Sequence, residues 1–437
     1  MTASTERQAA SDARPNAVTA RRELRLAVIG MSTGVTCGVR DHATLLAAGL
    51  QRERVLSSMH WLGRQEGTFG QARAEVSAWA NQLTDDLRRE PPDALLLHYS
   101  VFAHSYRGLP LFVAPMIGAL RRSRIPLISL LHEYAFRQRG RSGVNGAAWS
   151  LSQRAALFGV MRASTAVIAT MPERADWLAT RAWLARRPTA FAPVFSTLPS
   201  PAAASSPAAA SPPAVTSPPA GASAAAAGVA TVERAAPSVG LFGYSLRPEL
   251  VALVLDAIAL ARTRGTPIEL MLLGAPGADS DLGELWRSGA RARQIEHAIR
   301  FSGTVAAQEL SDMLAACELL LFVDRPGPTS RKTTLAGSLA SGSAVLALDG
   351  PESWGELIEA HAVELAQPRA DALAAAIERW LGAREEREAL GARGRAFAAE
   401  RMGVARSAAI VAAQLDYIRD GVGAGMVADS HAARAAP

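Results

Sequence analysis

Short apolar runs alternate with helical stretches along most of this 437-residue chain. In the first half the apolar runs are LRLAVIG (24–30), ALLLHY (94–99), PLISLLHEY (126–134) and TAVIAT (165–170). Continuous apolar runs between helical patterns indicate strands of a parallel sheet that helices cover on both faces. The first run leads into a turn rich in Gly, Ser and Thr, and the helical stretch DHATLLAAGL follows.

The same alternation restarts at residue 238. The strand-like runs there are SVGLFGY (238–244), IELMLLG (268–274), IRFSGTV (299–305), ELLLFVD (318–324) and AVLALDG (344–350). Helices are expected between them, beginning with RPELVALVLDAIALARTRG, and the chain is expected to end in helices, the last being VARSAAIVAAQLDYI. The sequence therefore predicts an α/β fold of two doubly wound, Rossmann-like domains. Ligands of such sheets bind beyond the carboxyl ends of the strands, so the cleft between the domains is the expected site.

One segment, residues 199–237, interrupts this pattern because it consists almost entirely of Ala, Pro, Ser and Gly. A segment with so few large apolar residues cannot bury a core, which predicts a flexible linker. The expected organisation is a disordered tail (1–23), an N-terminal domain (24–198), this linker, a C-terminal domain (238–420) and a second disordered tail (421–437).

Charge and composition narrow the function classes. Residues 1–198 hold 25 Arg against 14 acidic residues, or +11, whereas the remainder holds 21 basic against 26 acidic residues, or −5. A basic first half is typical either of an anionic partner, such as a membrane surface, a lipid phosphate or an acidic acceptor, or of a solvated Arg-rich surface. No nucleic-acid module is recognisable and aromatic residues make up only 5% of the chain, which argues against a nucleic-acid partner.

No sequence signal indicates secretion, a membrane span, a metal site or a cofactor. Cys37 and Cys317 have no metal-ligand spacing, and two distant cysteines fit a reduced, cytoplasmic compartment. No apolar run reaches the roughly 18–20 residues that a bilayer crossing requires. The stretch 108–126 is apolar and then basic, which is typical either of a core helix with arginines at its C-terminal end or of a helix that lies on an anionic membrane.

Four stretches together resemble GT-B glycosyltransferases, close to the retaining enzymes of family 4. These stretches are GMSTGVTCGVRDHATLLAAGL (30–50), LLHEYA (130–135), IRFSGTVAAQELSDMLAACELLLFV (299–323) and SLASGSAVLA (338–347). The resemblance covers roughly residues 24–420 apart from the linker. It implies transfer of a sugar from a nucleotide-diphospho-sugar to an acceptor without a metal ion, with the acceptor on the N-terminal domain and the donor on the C-terminal domain.

The chain departs from the family at one motif. The family's Glu-x7-Glu pair would fall on Thr329 and Gly337, neither of which is acidic. A branch of the family has a basic pair nearby instead, and Arg331 and Lys332 match that pair. Lys332 is the only lysine among the 46 Lys+Arg residues. The departure indicates a variant subgroup, although a relative that lost catalysis and only binds nucleotide or a partner enzyme remains an alternative, as does a sugar-nucleotide epimerase.

Arg331 and Lys332 are predicted to bind the donor diphosphate at the start of a helix. Thr329 or Ser330 is a plausible N-cap, which places Thr333 and Thr334 in the first turn. Cations at a helix N-terminus oppose the helix dipole, so a basic pair there indicates an anion on the same helix end, where free N–H groups point. The alternative is a solvated loop with incidental charges. Arg331 and Lys332 are predicted catalytic residues that stabilise the departing diphosphate. The other predicted donor-binding residues are Gly243, Arg247, Gly327, Thr329, Ser330, Thr333, Thr334 and Glu352.

On the N-terminal side, the resemblance assigns His132 at a strand end to the donor sugar, as a catalytic residue, with Glu133 beside it for the sugar or the acceptor. Gly34 and Gly38 follow the first strand, where glycine lets a loop approach a phosphate or sugar closely. His98 ends another strand and is predicted to contact the acceptor. The alternatives are a tight strand-to-helix turn for the glycines and structural packing for the histidines.

Overall fold

The computed structural model describes residues 23–33, 37–64, 68–103, 113–134, 144–202, 236–244 and 246–420. The predictions for Gly34, for nearly all of the two tails and for most of the linker fall outside these residues. Within them the chain forms two parallel six-stranded sheets with helices packed on their faces, which confirms the predicted α/β, doubly wound fold.

The first sheet has the strand order β2-β1-β3-β4-β5-β6, and all its pairings are parallel. Its strands are β1 (Leu24–Ser32), β2 (Val55–Gly63), β3 (Ala94–Ser100), β4 (Leu127–Glu133), β5 (Ala166–Ala169) and β6 (Thr189–Phe191). Its helices are α1 (Gly38–Leu50), α2 (Phe69–Arg89), α3 (Val113–Ser123), α4 (Val144–Ala163) and α5 (Pro172–Thr180). The central strands are buried along almost their whole length, which explains why they appear in the sequence as continuous apolar runs.

The second sheet has the order β12-β11-β10-β7-β8-β9, also with parallel pairings throughout. Its strands are β7 (Ser238–Phe242), β8 (Glu269–Leu273), β9 (Ile299–Gly303), β10 (Leu319–Phe322), β11 (Ala344–Leu348) and β12 (Glu364–Ala366). Counted within this sheet, the order is 3-2-1-4-5-6, the arrangement of nucleotide-binding Rossmann domains. The strand order reverses between β7 and β10, and a crevice opens at such a switch point.

Eight helices of the described part of the chain accompany the second sheet or follow it. They are α6 (Pro248–Thr263), α7 (Asp281–Ala292), α8 (Ala307–Ala316), α9 (Thr333–Ser341), α10 (Gly355–Glu359), α11 (Ala370–Gly382), α12 (Arg384–Arg401) and α13 (Val404–Arg419). The start of the predicted linker is fixed on α8, because the Ser311 hydroxyl donates to the Pro199 carbonyl at 2.7 Å and the Ala202 N–H donates to Asp312 at 2.9 Å.

The last helix forms as predicted but packs on the first sheet's helix α1. Ala408, Val411 and Leu415 of α13 belong to the same buried cluster as Leu46 and Leu50 of α1. The chain thus returns to its first half after completing the second sheet.

Helix α3 contains most of the apolar-then-basic stretch 108–126. Val113, Met116, Ile117 and Leu120 are buried, and two arginines occupy its last turn. No helix in the described part of the chain combines the length and hydropathy that a bilayer crossing needs.

Candidate functional site

A cleft with a volume of about 770 Å³ lies at the switch point of the second sheet. One wall is built by the ends of β7 and β10 and the segments that follow them, since residues 241–243, 246–247 and 322–326 line it together with Arg331, Lys332 and Thr334. The opposite wall comes from the first domain, where Glu133 ends β4, Tyr134 follows it, and Met171 and Arg174 follow β5. Both sheets therefore present the carboxyl ends of strands to one interdomain cleft, as the sequence predicts.

Arg331 reaches across this cleft to the first domain. Its Nη1 pairs with Glu133 Oε1, and the other oxygen of Glu133 accepts a hydrogen bond from Arg174 Nη1 at 3.1 Å. All three side chains are less than 20% exposed. Burial lowers the pKa of Arg331 and of Arg174 below the usual value, and the nearby charge of Glu352 opposes that shift. The carboxylate of Glu133 is thus held between two guanidinium groups, one from each domain.

Lys332 is the N-cap residue of α9, and its Nζ lies 2.8 Å from Asp324 Oδ2. The predicted N-cap, Thr329 or Ser330, is therefore wrong, whereas the placement of Thr333 and Thr334 in the first turn is confirmed. The Ser330 hydroxyl is engaged elsewhere, because it donates to the Thr170 carbonyl of the first domain at 2.8 Å.

The remaining residues of the predicted donor stretch divide into two groups. Thr334 lines the cleft, whereas Thr329 and Ser330 are at most 1% exposed and are not among its described lining residues. Thr333 and Gly327 are not among the described residues that line the cleft. Gly327 has a φ of +91°, and a Cβ there would lie 2.2 Å from Ser353 Oγ, so this glycine permits two loops to pack together.

Gly243, Arg247 and Glu352 all line the cleft. Gly243 has a φ of +77°, and a Cβ there would lie 2.6 Å from Thr334 Cγ2, so its close approach is to the first turn of α9. Arg247 is an exposed residue at the N-cap of α6. The described lining contains six basic and four acidic side chains, a net charge of +2, which suits an anionic ligand.

His132 and His98 are brought together, but neither is among the described residues that line the cleft. Both are buried, and His98 Nδ1 lies 3.1 Å from His132 Nε2. Burial lowers the pKa of His132 to about 4 and the pKa of His98 well below its usual value, so both rings are neutral at pH 7. Gly38 begins α1, is exposed, and has no neighbouring atom within 4 Å of a Cβ position.

Three residues that the sequence analysis missed are central to this geometry: Arg174, Asp324 and His42. Arg174 shares Glu133 with Arg331, and Asp324 pairs with Lys332. Asp324 ends the strand-like run 318–324 and Arg174 closely follows the run 165–170, so both lie near strand ends, where ligand-binding residues of α/β sheets occur. That position was a usable signal, but an isolated arginine carries little information in a chain with 46 Lys+Arg residues. His42 packs against both other histidines from inside α1, and no motif marks it.

The chain matches no family model and no curated protein, but it resembles solved structures over nearly its full length. HepE of Anabaena, crystallised with UDP and glucose, has a TM-score of 0.61 at 16% identity, covering 90% of this chain and 99% of that one. A glycosyltransferase from Rickettsia africae has a TM-score of 0.60 at 8% identity, covering 90% and 98%. A UDP-N-acetylglucosamine 2-epimerase, described as putative, from Listeria monocytogenes has a TM-score of 0.56 at 13% identity, covering 92% and 98%.

The chain has the GT-B fold. At such low identities the similarity establishes architecture, and the chemistry must be argued from the residues of the cleft.

Proposed function

We propose that this chain is a glycosyltransferase that transfers a sugar from a nucleotide-diphospho-sugar to an acceptor, with retention of configuration and without a metal ion at the diphosphate. The observation that carries the proposal is the convergence of Arg247, Arg331 and Lys332 on one cleft at the switch point of a Rossmann-like sheet. The known ligands of one structural neighbour, UDP and glucose, are consistent with this class of donor.

The three cations fit the chemistry of the leaving group. Breaking the bond between the sugar and the diphosphate places negative charge on the departing oxygens, and fixed cations stabilise that charge best where water is largely excluded. Arg331 and Lys332 stand at the N-terminus of α9, whose unpaired N–H groups provide further donors for an anion. In front-face substitution, the acceptor hydroxyl would enter on the same side as this departing group.

Glu133 is the residue that the donor must displace from Arg331. In the structure, the carboxylate of Glu133 forms an ion pair with the Arg331 guanidinium, the group that we assign to the diphosphate. A diphosphate that binds Arg331 would release one oxygen of Glu133 while Arg174 still holds the other. We propose that the released oxygen accepts a hydrogen bond from a hydroxyl of the sugar or of the acceptor.

The packing around Thr329 and Gly337 agrees with the absence of the Glu-x7-Glu pair. Thr329 is fully buried, and a Cβ on Gly337 would lie 3.1 Å from the Phe242 ring, so neither position has room for a glutamate aimed at a ligand. Glu352 lines the cleft from the loop after β11. We propose that Glu352 holds the donor ribose in place of the missing pair, as a variant subgroup of the family 4 type would require.

A nucleotide-sugar screen tests the proposal. UDP-, GDP-, ADP- and TDP-sugars are first compared for the rise in melting temperature of the full chain, and the stabilising donor is then assayed for release of its nucleoside diphosphate, with and without candidate acceptors. Arg331→Gln should abolish release, whereas Arg384→Ala, which removes an arginine that is 77% exposed on α12, should leave it unchanged. Binding of a donor without turnover, with every acceptor tried, would instead support an inactive nucleotide-binding relative.

The same assay distinguishes a glycosyltransferase from a sugar-nucleotide epimerase. The epimerase is an alternative because the Listeria protein, named as an epimerase, has a similar fold. An epimerase would invert a carbon of the bound sugar, and NMR of the sugar nucleotide would show the new isomer. Epimerisation needs groups that remove and return a proton. No histidine lies among the described residues that line the cleft, and two of the four carboxylates there are ion-paired, Glu133 with Arg331 and Arg174, and Asp324 with Lys332. We therefore expect nucleoside diphosphate release and no epimer.

A further inference from the structure

Three histidines from three elements meet behind the first-domain wall of the cleft. His42 comes from α1, His98 from β3 and His132 from β4, and one ring nitrogen of each lies within 4.8 Å of those of the other two. The strands bring their histidines together because β3 and β4 are parallel neighbours, and α1 places His42 against both rings. The residues are far apart in the sequence, so no spacing motif indicates this cluster.

The cluster leaves buried nitrogen atoms without hydrogen-bond partners. His42 Nδ1 and His98 Nε2 are both inaccessible to solvent and unpaired, and the rings share a single hydrogen bond, between His98 and His132. Buried polar atoms of folded proteins are normally paired, so such a group of unpaired donors and acceptors needs an explanation. One explanation is a ligand that several nitrogens bind at once.

The chemistry of the three rings suits a transition-metal ion. Imidazole binds a metal in its neutral form, and burial lowers the pKa of all three histidines, which keeps them neutral at pH 7. Zinc–nitrogen bonds of about 2.0–2.1 Å in a tetrahedron separate the nitrogens by roughly 3.3 Å. His98 Nδ1 and His132 Nε2 are already close to that spacing at 3.1 Å, and a ring nitrogen of His42 lies within 4.8 Å of a ring nitrogen of each of them.

We propose that His42, His98 and His132 bind one divalent transition-metal ion, and that zinc is the ion they favour. Three imidazoles with a fourth position for water form a known type of zinc site. The ion would tie α1 to β3 and β4 next to Glu133, because His132 precedes Glu133 at the end of β4. The inference does not depend on the proposed function, because it concerns a site outside the cleft.

Metal content of the full chain tests the site. The purified protein is incubated with excess ZnCl₂, passed through a desalting column and analysed for zinc by mass spectrometry, and we expect about one zinc ion per chain. His42→Phe keeps an aromatic ring against Phe195, which lies 4.0 Å away between ring centres, and should weaken zinc affinity more than about 100-fold. His297→Ala removes an exposed histidine on the other domain and should retain the zinc.

Two further measurements keep the test decisive if His42→Phe fails to fold. The wild-type chain loaded with Co²⁺ should show the strong visible absorption of tetrahedral cobalt, and zinc should raise its melting temperature relative to a chelator-treated sample. A wild-type chain that keeps no zinc after desalting would overturn the proposal. So would equal loss of zinc in His42→Phe and His297→Ala, because that result would indicate binding at scattered surface histidines.

Discussion

At the scale of single residues, Lys332 offers the most direct test of the diphosphate site. We expect Lys332→Ala to weaken binding of a nucleoside diphosphate by about 10- to 100-fold, because a hydrogen bond to a charged group contributes about 1.5–3 kcal/mol. The free energy of unfolding should change by less than about 1 kcal/mol, since the Lys332–Asp324 pair is a third exposed on its lysine side. Isothermal titration with the diphosphate and with the bare nucleoside measures the difference.

The nucleoside is the internal control for this variant, because it lacks the group that Lys332 would bind. An equal loss of affinity for nucleoside and diphosphate would mean that Lys332 supports the shape of the pocket and does not contact phosphate.

Glu133 provides the second residue-scale prediction. Glu133→Gln removes the charge that occupies Arg331, so we expect diphosphate affinity to rise severalfold while sugar transfer falls. The free energy of unfolding should decrease by about 1–3 kcal/mol, because two buried guanidiniums lose their anionic partner. Glu173→Gln is the matched control, since Glu173 lines the same cleft and is exposed. If both variants strengthen diphosphate binding equally, the effect is general electrostatics and not release of Arg331.

At the scale of helices and strands, the sequence predicts the buried elements well and the exposed ones poorly. The central strands are apolar on both faces, which is why runs such as 94–99 and 344–350 identify them. Strand β2 lies at an edge and is largely exposed, so its sequence VLSSMHWLG has no continuous apolar run and was missed. Strands β6 and β12 have only three residues each, too few for any periodicity.

The sequence predicts which site residues lie at strand ends, but it does not predict which strand ends lie next to each other. Arg331, Lys332, Gly243 and Arg247 follow strands of the second sheet, but that these strands are neighbours at the switch point depends on strand order, which local sequence does not specify. For the same reason the pairing of His98 with His132 could not be foreseen. Side chains that meet through sheet topology carry no joint pattern along the chain.

The contact between the turn after β7 and the first turn of α9 leads to an element-scale prediction. Gly243→Ala places a side chain at φ +77° and a Cβ 2.6 Å from Thr334 Cγ2, so we expect a loss of roughly 2–4 kcal/mol in the free energy of unfolding. Thr334→Ser alone removes one partly buried methyl group and should cost less than about 1 kcal/mol. Denaturant unfolding of both single variants and the double variant measures these values.

The double variant separates the two causes. It should recover the part of the loss that comes from the clash, giving a coupling free energy of about 1–2 kcal/mol, while the backbone strain remains. Strictly additive losses of unfolding free energy would show that the alanine side chain at position 243 and the first turn of α9 do not clash.

At the scale of the whole molecule, two connections join the sheets in different ways. The first connection is the predicted linker, which is inferred from its Ala-, Pro- and Ser-rich composition, and its residues 203–235 fall outside the described structure. The second connection is helix α13, which follows the second sheet in the chain but packs its buried side chains into the apolar cluster on α1 of the first domain. The sequence predicts α13 as a helix but cannot tell which sheet it covers, because an apolar face fits either.

These two connections predict opposite outcomes of deletion. Replacing 203–235 with a short Gly/Ser segment should leave the melting temperature and donor affinity nearly unchanged, since loop length enters the folding free energy only logarithmically, about 0.6 kcal/mol for each doubling. Ending the chain at Gly403 should destabilise it by roughly 3–6 kcal/mol, because the deletion removes the packing of Val411 and Leu415 and exposes Leu46 and Leu50.

Ending the chain at Asp420 is the control for the second deletion, because it removes the tail and keeps α13 whole. Thermal unfolding of the three shortened chains ranks them directly. A large drop on replacing 203–235 would show that this segment packs and is no linker. A chain ending at Gly403 that melts like the one ending at Asp420 would show that α1 is stable uncovered, and the two sheets would then depend on the cleft contacts, Arg331–Glu133 and Ser330–Thr170 among them, to stay together.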